Sequence, residues 1–139
     1  MTLLDKEGVK RVEKSLKEFD PKQNVIVLKS SARTALEAAS SLDCEVGAIV
    51  KSLLFKTENT FTLCLVAGDK KASLNKIKNE LNIKDASMAS AEEVKDITGF
   101  TIGGVAPIGH LKKINILIDN SLGRFNSLFA AAGHPNCVF

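Results

Sequence analysis

The sequence predicts an α+β fold, a mixed and mostly antiparallel sheet covered by helices, in one domain spanning residues 1–139. Three observations carry this reading. The apolar run Ala48-Ile49-Val50-Lys51-Ser52-Leu53-Leu54-Phe55 has the β-branched and aromatic character of a strand covered on both faces. Thr57-Glu58-Asn59 then offers a turn, and Thr60 to Ala67 reads as the antiparallel partner of that strand. Helical spacings interleave with strands in no repeating βαβ rhythm.

Along the chain, Val9, Val12, Leu16 and Phe19 recur at helical spacing among Lys and Glu until Pro21, which predicts an amphipathic cover helix over about residues 5–19. Asn24 to Leu28 reads as a short strand. Ser30 and Ser31 offer N-caps for an alanine-rich helix through Thr34, Leu36, Ala38, Ala39 and Leu42, whose small side chains permit close packing. Ser73 caps a helix carrying Leu74, Ile77 and Leu81, and Ser90 with Glu93 has capping-box spacing for another through Ile97. Between these two helices, Ile83 to Met88 is placed to pair briefly with the sheet. Gly99 to Gly109 is too rich in glycine for a regular helix, Ile114 to Ile118 reads as the last clear strand, and a final helix is expected over Arg124 to Ala132.

Size and composition bound the function. A chain of 139 residues, 45% hydrophobic and 25% charged, is long enough to bury a core without staples. Met1 to Lys10 has no apolar signal-like run, and no later stretch approaches bilayer length, so the expected location is cytoplasmic with no membrane partner. Three cysteines, Cys44, Cys64 and Cys137, without a Cys-x-x-Cys pair argue against a disulfide framework and a zinc ribbon. A net charge of +3 is compatible with nucleic acid as partner but too small to argue for it. The chain has no Trp and no Tyr, so base stacking falls to Phe or Arg.

Lys51 wants an explanation. Strand alternation points it the same way as Leu53 and Phe55, where an unpaired buried ammonium costs several kcal/mol. A pocket receiving an anionic or carbonyl-bearing ligand removes that cost; so does a strand-edge position where the stem packs and the head reaches water. Gly103-Gly104-Val105-Ala106-Pro107 is the second feature, a loop whose glycines admit close approach and whose amides can face an oxyanion or carbonyl, though such a stretch is often a plain turn. His134, in Gly133-His134-Pro135, has the chemistry of a general base or donor, and an isolated loop histidine is more often solvated or structural. With Cys137 it supplies only two ligands, too few for zinc. Lys70, Lys71, Lys76 and Lys78 form the densest basic cluster, ordinarily a solvated helix face and otherwise a phosphate-contact surface.

Together, Thr34 to Ala39, Ala48 to Phe55, Ala67-Gly68-Asp69-Lys70-Lys71, Gly99 to His110 and Ala132-Gly133-His134-Pro135 resemble, in order and spacing, the YbaK family. These are the aminoacyl-tRNA deacylase domains also found in or beside bacterial prolyl-tRNA synthetases. The resemblance implies a trans-editing hydrolase acting on mischarged aminoacyl-tRNA, a small amino acid on tRNA for proline above all, with prolyl-tRNA synthetase as a possible partner. It implies no metal and no cofactor. Lys51 matches the family's strand lysine, and Gly103 to Pro107 its Gly-x-x-x-Pro loop, which puts Lys51, Gly103, Gly104 and Pro107 at the chemistry. Thr34, Val105, Ala106, Gly133 and His134 then border the amino-acid pocket, and the lysine cluster holds tRNA. The Val105-Ala106-Pro107 wording is less like the cysteine-specific members than like those clearing other small amino acids. Relatives continue past the segment matching Cys137-Val138-Phe139 with a further strand and helix, which bears on the pocket's rear wall. A second function stays open, a non-catalytic module that binds an aminoacyl group or a synthetase through the same pocket.

Overall fold

A computed structural model describes residues 2–30 and 32–139. Seven strands form one mixed sheet in the order β1-β7-β6-β2-β3-β5, with β4 also pairing β2. The strands are β1 (Ile26–Val27), β2 (Ile49–Thr57), β3 (Thr60–Ala67), β4 (Ala86–Met88), β5 (Asn115–Ile118), β6 (Phe129–His134) and β7 (Cys137–Val138). Four α-helices accompany them: α1 (Glu7–Phe19), α2 (Ala35–Leu42), α3 (Leu74–Leu81) and α4 (Ala91–Thr98). The pairs β2–β6 and β3–β5 are parallel, and the other four are antiparallel.

The central hairpin forms as the sequence predicts, with Thr57 opposite Thr60 across a two-residue turn and Glu58 in the left-handed region that such a turn requires. Its strands are buried on both faces. Leu54 and Leu63 meet Val9 and Val12 of α1, Val94 of α4, Phe100 and Ala132 on one side. Phe55, Cys64 and Val66 meet Ile77 of α3 on the other, and burial there pushes the Cys64 thiol up to about 11. A third cluster joins Ala38 and Ala39 of α2 to Ile49 and Val138. Cys64 is thus a small core side chain.

Several boundaries differ from the sequence expectation. The alanine-rich helix is capped by Thr34, whose Oγ1 accepts from the Glu37 amide at 3.1 Å while Glu37 reaches back to the Thr34 amide at 3.2 Å. Ser30 does not cap it, and Ser31 lies outside the described residues. The α1 stripe is Val9, Val12 and Leu16, while Phe19 is 90% exposed beyond it. The largest correction is at the C-terminal end. No helix covers Arg124 to Ala132: a short 3-10 turn ends at Arg124, and Phe129–His134 is strand β6. Alanine favours helix in isolation, yet this segment pairs with β2 on one side and β7 on the other while Ala130 and Ala132 are buried in the sheet. No described helix is long and apolar enough to cross a membrane.

Candidate active site

The site is a gap in the sheet. On the side of β2 away from β3, β6 pairs only with Ile49 and Val50, and β4 only with Phe55 to Thr57. Between them lies a cavity of about 390 Å³, bordered by Lys51 to Leu54, the N-terminus of α2, the Gly103 loop, β6 and Met88-Ala89. Its lining is mainly apolar, with Ala38, Ile49, Val94 and Val105 inside and the exposed side chains of Met88 and Ile102 at the mouth. Arg33 and Lys51 are the cationic side chains on its border.

Lys51 is half-buried and donates through Nζ to the Lys70 carbonyl. Among the described residues no carboxylate pairs with it. A carbonyl orients the ammonium without neutralising it, and two of its three N–H donors stay available. The turn offering that carbonyl is itself fixed. The Lys70 amide donates to Ala67 at 2.9 Å, and Asp69 receives both arms of Arg124 at 2.9 and 2.8 Å. The Arg124 guanidinium holds the Asp69 carboxyl below its ordinary range and lies 4.9 Å from the centre of the Phe125 ring. Glycine is required beneath this assembly: a Cβ on Gly47 would stand 2.8 Å from Phe125 Cζ and 3.0 Å from Asp69 Oδ1.

The glycine-proline loop faces Lys51's strand across the cavity. Gly103 takes φ +94°, and the Gly104 amide is engaged by the Thr101 carbonyl at 3.0 Å. From behind, Arg11 of α1 donates to the Gly109 carbonyl at 3.1 Å and the Thr98 carbonyl at 3.4 Å, with its guanidinium 4.8 Å over the Phe100 ring. His110 Nε2 donates to the Ala106 carbonyl at 2.6 Å. Burial pushes the His110 pKa down, so the neutral ring is the form that holds the loop. Among the described residues no group of three or more His, Cys, Asp or Glu side chains converges as a metal site would need.

Residues 29–139 match the family described as the aminoacyl-tRNA editing domain. The chain belongs to that family. It is 33% identical over 130 residues to the uncharacterized protein YwhH of Bacillus subtilis, covering 93% of this chain and 82% of YwhH. It is 35% identical over 103 residues to the proline–tRNA ligase of Caldicellulosiruptor bescii, covering 74% of this chain but only 18% of the ligase. A solved structure described as a "putative trans-editing enzyme for prolyl tRNA synthetase" superposes with a TM-score of 0.90 at 36% identity, covering 96% of this chain and 85% of that one.

In this editing domain Thr34, Lys51, Gly103 and Val105 border one cavity. The Thr34 hydroxyl is also the α2 cap. Gly104, Ala106 and Pro107 stand in the same loop but are not on the cavity wall: a Cβ on Gly104 would lie 2.9 Å from His134 Cα, and Ala106 is fully buried. Gly133, at φ +89°, packs against Gly8 of α1. His134 ends β6 half-buried, and its Nδ1 accepts from the Asn136 amide at 3.1 Å; the neighbouring Pro135 borders the cavity. Burial, with Lys6 nearby, pushes the His134 pKa down. Lys70 and Lys71 sit in the turn that holds Lys51, while Lys78 lies by the hairpin tip, in a shallow depression with Glu58 and Asp85. Sequence reasoning missed Ser52, whose Oγ is buried without a partner among the described residues, and the two loop clamps Arg11 and His110. Arg11 reads in sequence as an ordinary polar position on an amphipathic helix, so only its long-range contacts show its role.

Proposed function

We propose that this editing domain hydrolyses the ester joining a wrong amino acid to tRNA, a small amino acid on tRNA for proline, and acts in trans as one domain. The observation that carries the proposal is Lys51: a cation oriented by a backbone carbonyl, with donors to spare, on the border of an apolar cavity facing the Gly103 loop. The family match, the ligases among the relatives and the trans-editing description of a structural neighbour support the same reading.

The chemistry asks for little from the protein. An aminoacyl ester is already activated, and among the described residues no histidine or cysteine borders the cavity to act as nucleophile. Hydrolysis by water, with the ribose 2′-hydroxyl of the substrate beside it, needs the ester carbonyl held still and its developing negative charge met by a donor. Lys51 supplies the charge, and the Gly103 loop supplies close backbone approach. Lys51, Gly103, Gly104 and Pro107 are therefore the proposed catalytic set, with Gly104 and Pro107 shaping the loop. Thr34, Val105 and the Ala106–His110 link shape the amino-acid pocket, and Gly133 with His134 closes its far side behind Pro135.

Incubation with alanyl, cysteinyl, seryl and threonyl esters of tRNA for proline tests this. Free amino acid should be released from at least one small residue at rates well above spontaneous hydrolysis. Tight binding without release would identify a non-catalytic aminoacyl-binding module.

A further inference from the structure

The gap in the sheet leaves one residue of β2 with its main chain unpaired, and that residue is Ser52. Antiparallel neighbours alternate between pairs that exchange hydrogen bonds and pairs that do not. Ser52 faces Leu65 of β3, and the Leu65 carbonyl is turned away to accept from the Asp119 amide at 2.9 Å. Two residues on, the Leu54 carbonyl accepts from Ala89 at 3.1 Å on the side away from β3. By the two-residue period, the Ser52 N–H and C=O also point away from β3, into the gap. Continuing the parallel β2–β6 ladder would give the Ser52 amide to Ala131, but the register stops at Val50–Ala130. Among the described residues, neither β6 nor β4 pairs with Ser52, no turn or loop main-chain bond reaches it, and its Oγ has no partner either.

The opening is too short for a peptide strand. It spans four residues, Lys51 to Leu54, or roughly 13 Å at about 3.3 Å per residue, and is blocked at one end by β6 and at the other by β4. One amino-acid residue fits. An aminoacyl ester carries an α-ammonium donor group and one carbonyl acceptor, the complement of the acceptor and donor on Ser52.

We propose that the aminoacyl group docks on Ser52 as a one-residue β-bridge, its α-amino group donating to the Ser52 carbonyl and its ester carbonyl accepting from the Ser52 N–H. This rests on the editing reading and names the contact that recognises the α-amino acid itself. It places the scissile carbonyl beside Lys51, one residue away on the strand, and puts the substrate side chain on the face of the sheet that carries the Ser52 hydroxyl and Leu54. Discrimination among amino acids then lies in the apolar wall, and the demand for an α-amino ester lies in the main chain.

Amide hydrogen exchange by NMR tests the bridge, with alanyl-adenosine joined by an amide in place of the ester as probe. In the free protein the Ser52 amide should exchange faster than those of Lys51 and Leu53, and saturating probe should slow it at least about tenfold. A propionyl-adenosine amide, lacking the α-amino group, should bind about tenfold more weakly, the loss of one charge-assisted hydrogen bond. If the probe shifts the resonances of Lys51 and the Gly103 loop while Ser52 exchange is unchanged, or if Ser52 is already protected without it, the bridge is wrong and the editing reading stands. If the probe shifts no cavity resonance, both fall.

Discussion

Lys51 illustrates how a residue that looks costly in a buried strand is accommodated. Its stem runs along the sheet face shared with Leu53, and its ammonium leaves the core to meet the Lys70 carbonyl. Losing that one bond should cost only about 1 kcal/mol. Lys51→Ala should therefore lower Tm by no more than about 4 °C, measured by thermal denaturation; a larger drop would make the lysine chiefly structural. The glycines behave differently. Gly103 has φ +94°, and a Cβ on Gly104 would press 2.9 Å from the His134 backbone, whereas Gly123 has nothing within 4 Å. Gly103→Ala and Gly104→Ala should each cost roughly 1–3 kcal/mol of stability as well as activity, and Gly123→Ala should change neither. Equal denaturation midpoints for Gly104→Ala and Gly123→Ala would contradict this packing. Sequence alone marks Gly103 and Gly104 as sites of close approach; it does not show that Gly104 abuts the end of β6 rather than the ligand.

At the scale of elements, the Gly103 loop is held by α1 and by its own C-terminal end. Arg11 grips the carbonyls of Thr98 and Gly109, on either side of the loop, and His110 grips Ala106 inside it. Because burial lowers the His110 pKa, the unfolded chain takes up a proton near pH 6.5 that the folded chain resists. Stability from the neutral ring is thus complete above about pH 6.5 and is lost as pH falls through that value towards the folded pKa. His110→Gln should flatten the fall in Tm between pH 7 and 5, a window above that of the carboxylates Asp69, Glu93 and Asp119, whose pKa values are lowered by their partners. An identical slope in the variant would show that His110 titrates alike in both states. Arg11→Leu should lower Tm by several degrees and reduce kcat more than it raises KM, since the loop loses its grip while the cavity wall stays. The hairpin and the helices α3 and α4, capped by Ser73 and Ser90, were legible because local signals and final structure agree. The last segment was not: Phe129 to Ala132 has helical residues, and only the partners β2 and β7, distant or hidden in a two-residue strand, make it β6.

At the scale of the molecule, a net charge of +3 matters less than where the cations stand. Lys70 and Lys71 are exposed beside the turn that orients Lys51, whereas Lys78 borders Glu58 and Asp85 near the hairpin tip. Lys70→Ala with Lys71→Ala should raise KM and shallow its salt dependence, because contacts to phosphate release counterions. Lys76→Ala with Lys78→Ala should do so less, and a steeper effect from the second pair would move the tRNA surface onto α3. The resemblance read in the sequence already marked Lys51 and the glycine-proline loop; the open edge of β2 was beyond it, because a gap in a sheet depends on where two separate strands stop. The most direct test is single-turnover release of free amino acid from alanyl-tRNA for proline by the intact protein and by Lys51→Ala. Hydrolysis by the intact protein and a loss of at least about 100-fold in the folded variant are the predicted result, and undiminished release by Lys51→Ala would contradict the account.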